Sequence, residues 1–188
     1  MKQHIKTAKD FIVERNELFI GLTIVLGLVL LTIVIALLAY NSVPKVVYQP
    51  TKACDLLTTS KAKELLGDGA IRGNATDPVQ TENIATSKCA YSDSNPDVNS
   101  MLVAAVIVRS GINDAGVEQN KTEFKNGKPT EHAEAVKGLG DDAYFNQERG
   151  QLNILNGRNW IILSNGVGSA PESNTVEKTV ELAQKVLH

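Results

Sequence analysis

The longest apolar run in the chain lies near its start and predicts a membrane-spanning helix. From Leu18 to Tyr40 no residue is charged, and only Thr23 and Thr32 are polar. As a helix, a run of this length spans about 34 Å, against a hydrocarbon core of roughly 30 Å. A single segment satisfies its own backbone in lipid only as a helix. A cleaved signal peptide is the alternative, although its apolar region is normally about 7–15 residues long.

The basic residues that flank this run predict its orientation. Four basic side chains precede it, whereas only Lys45 and Lys52 follow within a comparable distance. Because loops rich in lysine and arginine stay in the cytoplasm, we expect a single-pass protein of the cell membrane with a cytoplasmic N-terminus. Pro44 lies just beyond the run and should end the helix near Ser42. The predicted parts are a cytoplasmic segment (1–17), the spanning helix (18–40), a stalk (41–52) and an extracellular domain (53–188).

Three stretches of the domain have helical patterns. The first follows Thr58-Thr59-Ser60, whose hydroxyls can cap its first turn, and the last begins with Asn174-Thr175-Val176-Glu177, which fits the capping pattern with an acid three residues on. The second helix should run from Asn113 to Phe124, with Val117, Lys121 and Phe124 along one side. Residues 176, 180, 183 and 187 give the last helix an apolar face, widened by residues 182 and 186.

Other stretches predict strands. Lys88 to Ser92 alternates so that Cys89 and Tyr91 share a face, and Met101 to Val108 is a continuous apolar run typical of a central strand buried on both faces. Residues 68–87 are polar and rich in glycine, asparagine and threonine, so we expect a loop there with at most weak strand character.

The pair Asn156-Gly157 predicts a two-residue hairpin between two apolar segments. The expected register pairs Leu155 with Arg158, Asn153 with Trp160 and Leu152 with Ile161. On this pattern Leu152, Ile154, Ile161 and Leu163 face the core, whereas Leu155, Trp160 and Ile162 share the other face. Three large apolar side chains are too many for plain exposure, so that face should either pack beneath a helix or hold a ligand.

Helices separated by strands with hairpin-type connections indicate an α+β domain, in which helices flank a mainly antiparallel sheet. The chain carries 19 basic and 21 acidic residues, and this balance gives no reason to expect a nucleic-acid partner. Its two cysteines, Cys54 and Cys89, both follow the spanning helix, and an even pair in an exported domain suggests a disulfide. Two unpaired buried thiols are the alternative.

The sequence contains few combinations of residues that could form a catalytic or metal-binding site. Only three histidines occur in the chain, and no dinucleotide, phosphate-loop or nucleophile-elbow motif is complete. Asp141 and Asp142 are adjacent, which favours turn and capping roles over a cation site. We therefore expect no catalytic residue, cofactor or metal ligand. A carboxylate-dependent hydrolase that pairs Asp141 or Asp142 with Glu148 is the enzymatic alternative.

Several short segments together resemble small cell-envelope domains of actinobacteria and their relatives, including the LpqN-type lipoproteins. The segments are Ala-Cys-Asp-Leu-Leu-Thr at 53–58, Glu-Leu-Leu-Gly at 64–67, Cys-Ala-Tyr at 89–91, Gly-Leu-Gly-Asp-Asp-Ala-Tyr-Phe at 138–145, and a final Leu-Ala-x-x-Val-Leu helix. The resemblance implies a PsbP-like fold, an antiparallel sheet flanked by helices with its two cysteines bridged, and it does not imply an enzymatic activity. This chain departs from the lipoproteins because an apolar helix takes the place of the lipidated cysteine.

The expected function is therefore non-catalytic binding by a domain displayed on the cell envelope. Its partners would be the membrane and either an envelope protein or a small ligand. A hydrolase of envelope polymers and a structural subunit of an envelope assembly remain the alternatives.

Overall fold

The structure is a computed structural model that describes residues 26–36 and 46–188. Residues 26–36 are helical and their side chains are exposed. The rest of the predicted spanning helix, like the cytoplasmic segment 1–17, lies outside the described residues. Within the described ranges no helix combines the length and the apolar character needed to cross a membrane. Residues 46–188 form one compact unit, which is described by itself below.

This unit contains four α-helices, a 3₁₀ turn and seven strands. The helices are α1 (Ala53–Leu56), α2 (Thr59–Leu66), α3 (Asp114–Gly127) and α4 (Val176–Leu187), and the 3₁₀ turn is Pro171–Ser173. The strands are β1 (Ile71–Gln80), β2 (Ile84–Ser92), β3 (Leu102–Gly111), β4 (Ala133–Ala135), β5 (Asp142–Asn146), β6 (Gln151–Asn156) and β7 (Asn159–Val167).

The seven strands form one antiparallel sheet in the order β1-β2-β3-β7-β6-β5-β4. Together with the helices it confirms the predicted α+β class and its antiparallel sheet. β3 and β7 are neighbours in the middle of the sheet.

The main core lies on one face of the sheet, beneath α1, α2 and α4. Alternate residues of β3 and β7 point into it, including Val106, Val108, Ile161 and Leu163. The other residues of β3 are only partly covered, so the prediction that this strand is buried on both faces holds for one face alone. The asymmetry leaves the second face of the sheet available for other contacts.

The helices begin within one residue of their predicted starts, and the cap of the last one is Thr175 rather than Asn174. Thr58, Asn113 and Thr175 each accept a hydrogen bond from a backbone N–H of the first turn, which satisfies one of the free donors at the helix start. In α3, however, the buried residues are Gly116, Asn120 and Phe124. The predicted line through Val117 and Lys121 was therefore wrong, and Lys121 instead pairs with Glu118 at the surface.

The hairpin is present, but its register differs from the predicted one. Asn156 pairs with Asn159 and Leu155 pairs with Trp160, so Gly157 and Arg158 are the central residues of the turn. Only Gly157 takes a positive φ, 56°, as expected where glycine is the first of two central residues. Each residue of β7 pairs two positions further along β6 than predicted. Because successive residues of a strand alternate between its faces, a shift of two positions leaves every residue on its predicted face.

The segment 68–87 is not a loop. It contains β1 and the start of β2, and β1 pairs along its length with β2 despite two irregularities in register. Nearly all of β1 is exposed, so its side chains carry no burial pattern that would have predicted a strand. Backbone pairing holds this edge strand, and Pro78 is tolerated because an edge strand leaves one side unpaired.

A disulfide joins Cys54 on α1 to Cys89 on β2, as predicted. Residues 46–52, the described part of the predicted stalk, are also attached to the domain. The backbone N–H of Tyr48 donates to the carbonyl of Ile112 at 2.8 Å, and its hydroxyl donates to Asp114 at 2.7 Å. The segment that precedes the domain therefore lies against it from residue 46 onward.

Candidate functional site

A cavity of about 240 Å³ opens on the second face of the sheet, where α3 ends. The last residue of α3, Gly127, and the following Pro129 form one wall, and the β5–β6 turn forms another. Strands β5, β6 and β7 supply the floor. The lining residues are Gly127, Pro129, Tyr144, Asn146, Glu148, Arg149, Gln151, Asn153, Trp160 and Ile162. We refer to this space as the Trp160 cavity.

The three residues of the predicted face, Leu155, Trp160 and Ile162, lie along this side of the sheet but differ in their surroundings. Leu155 is buried beneath α3, packed with Phe124 and Tyr144. Ile162 and Trp160 are partly exposed and line the cavity. Helix packing and an open cavity therefore both occur on this face, with Trp160 at the boundary between them.

Contacts on three sides hold the Trp160 ring. Its indole N–H donates to the Oδ1 of Asn153 at 3.0 Å, the ring of Phe124 meets it edge-on with centroids 6.0 Å apart, and the Arg109 guanidinium lies 4.8 Å from its centroid. Arg109 is itself paired with Glu123 on α3. Hydrogen bonds from Gln119, and then from Arg109, lower the pKa of Glu123 below its usual 4.5.

Two polar side chains of the cavity are buried yet have free hydrogen-bonding atoms. Tyr144 is only 1% exposed and Asn146 only 6%. Among the described residues no group bonds to the Tyr144 hydroxyl or to the Asn146 Nδ2, although the Oδ1 of Asn146 accepts from the backbone N–H of Arg149 at 3.1 Å. Burial raises the pKa of Tyr144, so its phenol stays protonated at neutral pH. Neither atom is among the fully buried unpaired atoms of the described residues, so both reach the surface of the cavity, where a ligand or water can bind them.

A second cavity of about 240 Å³ adjoins the first. It extends over β3 and β7 towards the 3₁₀ turn, and it shares Arg149 and Gln151 with the Trp160 cavity. Val103 and Ala105 of β3 lie on its floor, beside Ser164 of β7. The two cavities therefore follow one another along the uncovered part of the sheet.

The acidic residues singled out in the sequence do not converge. Asp141 accepts a hydrogen bond from the backbone N–H of Gly157 at 2.6 Å, a turn-stabilising role. Asp142 is the first residue of β5, so about 13 Å of strand separates it from Asn146, and Glu148 lies beyond that. Glu148 lines the Trp160 cavity, and the two aspartates are not among its lining residues. Among the described residues no group of acidic, histidine or cysteine side chains could hold a metal ion.

A larger cavity of about 440 Å³ lies beside the disulfide. Its rim carries Lys52 and Asp77, whose charged atoms are 3.9 Å apart and largely exposed. None of its lining side chains is buried, so water satisfies its polar groups and nothing there calls for a ligand. We therefore take the smaller Trp160 cavity as the candidate site.

Comparison with known proteins finds no matching family model, curated protein or solved structure.

The sequence pointed to Trp160 and Ile162 but missed the polar half of the cavity. Tyr144 and Asn146 are on β5, a strand that no pattern had predicted, and Gln151 and Asn153 alternate with the core residues of β6. The alternation itself was the available signal. Asn153 falls on the same face as Leu155, and a polar residue among apolar ones on a covered face indicates a specific partner.

Proposed function

We propose that this protein is a single-pass membrane protein whose domain, displayed outside the cell, binds a ligand in the Trp160 cavity without catalysing a reaction on it. One observation carries the binding role: Tyr144 and Asn146 are almost fully buried, yet each leaves a hydrogen-bonding atom free beside the cavity. Both atoms reach the surface of the cavity, so a ligand seated there can hydrogen-bond to them.

The sequence and the disulfide support the location. The uncharged run from Leu18 to Tyr40 is long enough to cross a bilayer, and its described part is helical with exposed apolar side chains. The excess of basic residues before it favours a cytoplasmic N-terminus. The bridge between Cys54 and Cys89 is typical of proteins that fold in an oxidising compartment.

We also propose that the domain is related to the small envelope domains of the LpqN type, which have a PsbP-like arrangement of sheet and helices. The helices on both faces of the antiparallel sheet agree with that arrangement.

The alternative of a carboxylate hydrolase has less support. About 13 Å of β5 separates Asp142 from Asn146, and Glu148 lies beyond Asn146, whereas glycoside hydrolysis uses carboxylates roughly 5–10 Å apart. The remaining alternative, an assembly subunit, depends on the spanning helix, where Gly21 and Gly27 do not form the small-xxx-small pair that favours helix association.

The location is tested by fusing alkaline phosphatase, which is active only outside the cytoplasm, to the C-terminus of the chain in a bacterial host. The proposal predicts an active fusion that stays in the membrane fraction. An inactive fusion would contradict the orientation, and release into the medium would indicate a cleaved signal peptide.

Binding is tested with Trp160, which is the only tryptophan in the chain and so reports from the site itself. The full chain in lipid nanodiscs is mixed with separated glycan, lipid and peptide fractions of a bacterial envelope while the emission is recorded. We expect a saturable change with one fraction, lost in Gln151→Phe, which fills the cavity, but kept in Gln80→Phe on the exposed edge strand. No change with any fraction, or chemical conversion of the fraction, would contradict the proposal.

A further inference from the structure

The free hydrogen-bonding groups of the Trp160 cavity have a common character. The Tyr144 hydroxyl can donate and accept, the Asn146 Nδ2 can donate, and no described residue bonds to the side-chain amide of Gln151, which can do both. A ligand that matches this set carries several hydroxyl groups close together, because each hydroxyl also donates and accepts.

The charges at the cavity favour a ligand without net charge. Among the described residues its charged lining side chains are Glu148 and Arg149, which are consecutive, exposed and opposite in sign, and the exposed Lys128 ammonium lies 5.7 Å from the centroid of the Tyr144 ring. The buried floor consists of amides, a phenol and apolar groups. An anionic or cationic ligand seated on that floor would lose its hydration without meeting a buried opposite charge, and this is costly.

The remaining floor is apolar. Ile162 and the partly exposed Trp160 ring present carbon atoms next to the amides. Such a mixture of aromatic surface and a few placed polar groups is usual in small-molecule sites. It suits a sugar ring, which has hydroxyls around its edge and C–H groups on its faces.

The size and arrangement of the cavities indicate more than one unit. At about 240 Å³, each cavity is below the roughly 300–1,000 Å³ of sites for drug-sized ligands. Because the two cavities share Arg149 and Gln151, a ligand in one can continue into the other.

On the basis of the proposed function, we infer that the ligand is a neutral glycan, with one sugar unit in the Trp160 cavity and the next in the adjoining cavity over β3. Tyr144, Asn146 and Gln151 bind the hydroxyls of the first unit. Gln151 also reaches the second, since it lines both spaces.

The test uses the full chain in nanodiscs, with Trp160 emission and calorimetry as readouts. The probes are neutral oligosaccharides of increasing length built from glucose, galactose, mannose, arabinose or N-acetylglucosamine, together with oligogalacturonates as the acidic series. We expect saturable binding of at least one neutral series and a gain in affinity of about tenfold or more from the monosaccharide to the disaccharide or trisaccharide. The acidic series should bind no better than the neutral one.

Two tyrosine variants separate binding from folding. Tyr144→Phe should weaken glycan binding about 3- to 10-fold and leave the melting temperature unchanged, because no described residue bonds to this hydroxyl. Tyr91→Phe is the matched control: Tyr91 is equally buried in the main core, and its hydroxyl lies 3.0 Å from the Thr59 hydroxyl. It should lower the melting temperature without changing affinity.

The inference is overturned if no neutral series binds saturably, if the acidic series binds better, or if Tyr144→Phe lowers stability while affinity is unchanged. Should glycans fail while a lipid or peptide fraction alters Trp160 emission through the same cavity, the glycan assignment is wrong and the proposed binding function stands. Failure of every fraction contradicts both.

Discussion

The indole N–H of Trp160 donates a 3.0 Å hydrogen bond to the Oδ1 of Asn153 on the neighbouring strand. The two residues are diagonal rather than directly paired, since Asn153 is opposite Ile162 and Trp160 is opposite Leu155. The bond fixes the tryptophan ring at the place where α3 stops covering the sheet. The hydrogen bond therefore holds the Trp160 ring, and with it the mouth of the cavity, in one conformation.

Two glycines of the Gly-Leu-Gly-Asp-Asp segment should respond differently to alanine. Both have positive φ, but a Cβ on Gly140 would lie 2.3 Å from the carbonyl oxygen of Leu155, whereas one on Gly138 meets nothing within 4 Å. We expect Gly138→Ala to lower the free energy of unfolding by about 1–2 kcal/mol, from backbone strain alone. Gly140→Ala should cost at least about 3 kcal/mol, since that carbonyl also accepts from Asp141 and cannot move freely. Urea unfolding measures both, and equal effects would contradict the packing described.

The attachment of α3 to the sheet depends on Asn120. Its Nδ2 donates to the backbone carbonyls of Arg109 and Arg158, at 2.8 and 3.0 Å, in a fully buried position. Asn120→Ala should reduce the free energy of unfolding by about 1–3 kcal/mol, because two buried carbonyls lose a donor. The matched control is Asn74→Ala on the exposed edge strand, where a change within about 0.5 kcal/mol is expected. Chemical denaturation compares them.

Asn74 and Asn120 should also differ in their glycosylation. Both asparagines occur in Asn-x-Thr sequons. In a host that glycosylates exported proteins, the folded domain should accept a glycan at Asn74 and not at the buried Asn120, as mass spectrometry would show. Modification of Asn120 in folded protein would contradict the placement of α3.

The helices and the central strands follow from local chemistry and from the apolar pattern, and this is why they could be predicted. Thr58 caps its helix with its own hydroxyl as predicted, and Thr175 caps the last helix one residue after the predicted Asn174. β1 could not be predicted in this way, since only its backbone pairing with β2 holds it.

The candidate site was predictable only in its apolar part. A surplus of large apolar residues placed Trp160 and Ile162 on a face that needed a partner. Tyr144 and Asn146 join them because β5 pairs with β6, and a pairing between strands leaves no trace in residue types as common as these. How much of the face α3 covers depends on its C-terminal end, which was predicted at Phe124 and lies at Gly127.

Removal of the disulfide should destabilise the domain. The bridge closes a loop with a sequence separation of 35, which corresponds to about 3–4 kcal/mol on the chain-entropy model. We expect the double variant Cys54→Ser and Cys89→Ala to lose about this much in urea unfolding, and the native protein to lose a similar amount on reduction. A variant as stable as the native protein would show that the bridge is not needed to hold α1 against β2.

The contact of α3 with Arg109 should weaken in acid. The fold lowers the pKa of Glu123, so the ionised form stabilises the folded state. That contribution is complete above the usual carboxyl pKa of 4.5 and is lost as pH falls through the lower folded pKa. The effect should be small, because the Glu123 side chain is 41% exposed and solvent screens the pair.

The variant Glu123→Gln should be slightly less stable than the native protein at pH 7, and the difference should shrink as the pH falls below the usual carboxyl pKa of 4.5. Thermal melts across this range measure it. A difference that grows on acidification would have the wrong sign for a carboxylate stabilised in its ionised form.

The most direct test of a binding site at this cavity is a nuclear magnetic resonance titration of the side-chain N–H signals with the neutral oligosaccharides. The chain has a single indole signal, from Trp160, and the side-chain amides of Asn146 and Gln151 lie beside it in the cavity. We predict that these three signals shift together and saturate at one concentration, while the amide of Asn74 on the exposed edge strand stays in place. Shifts that avoid the cavity, or signals that remain unchanged with every envelope fraction as well, would contradict the account.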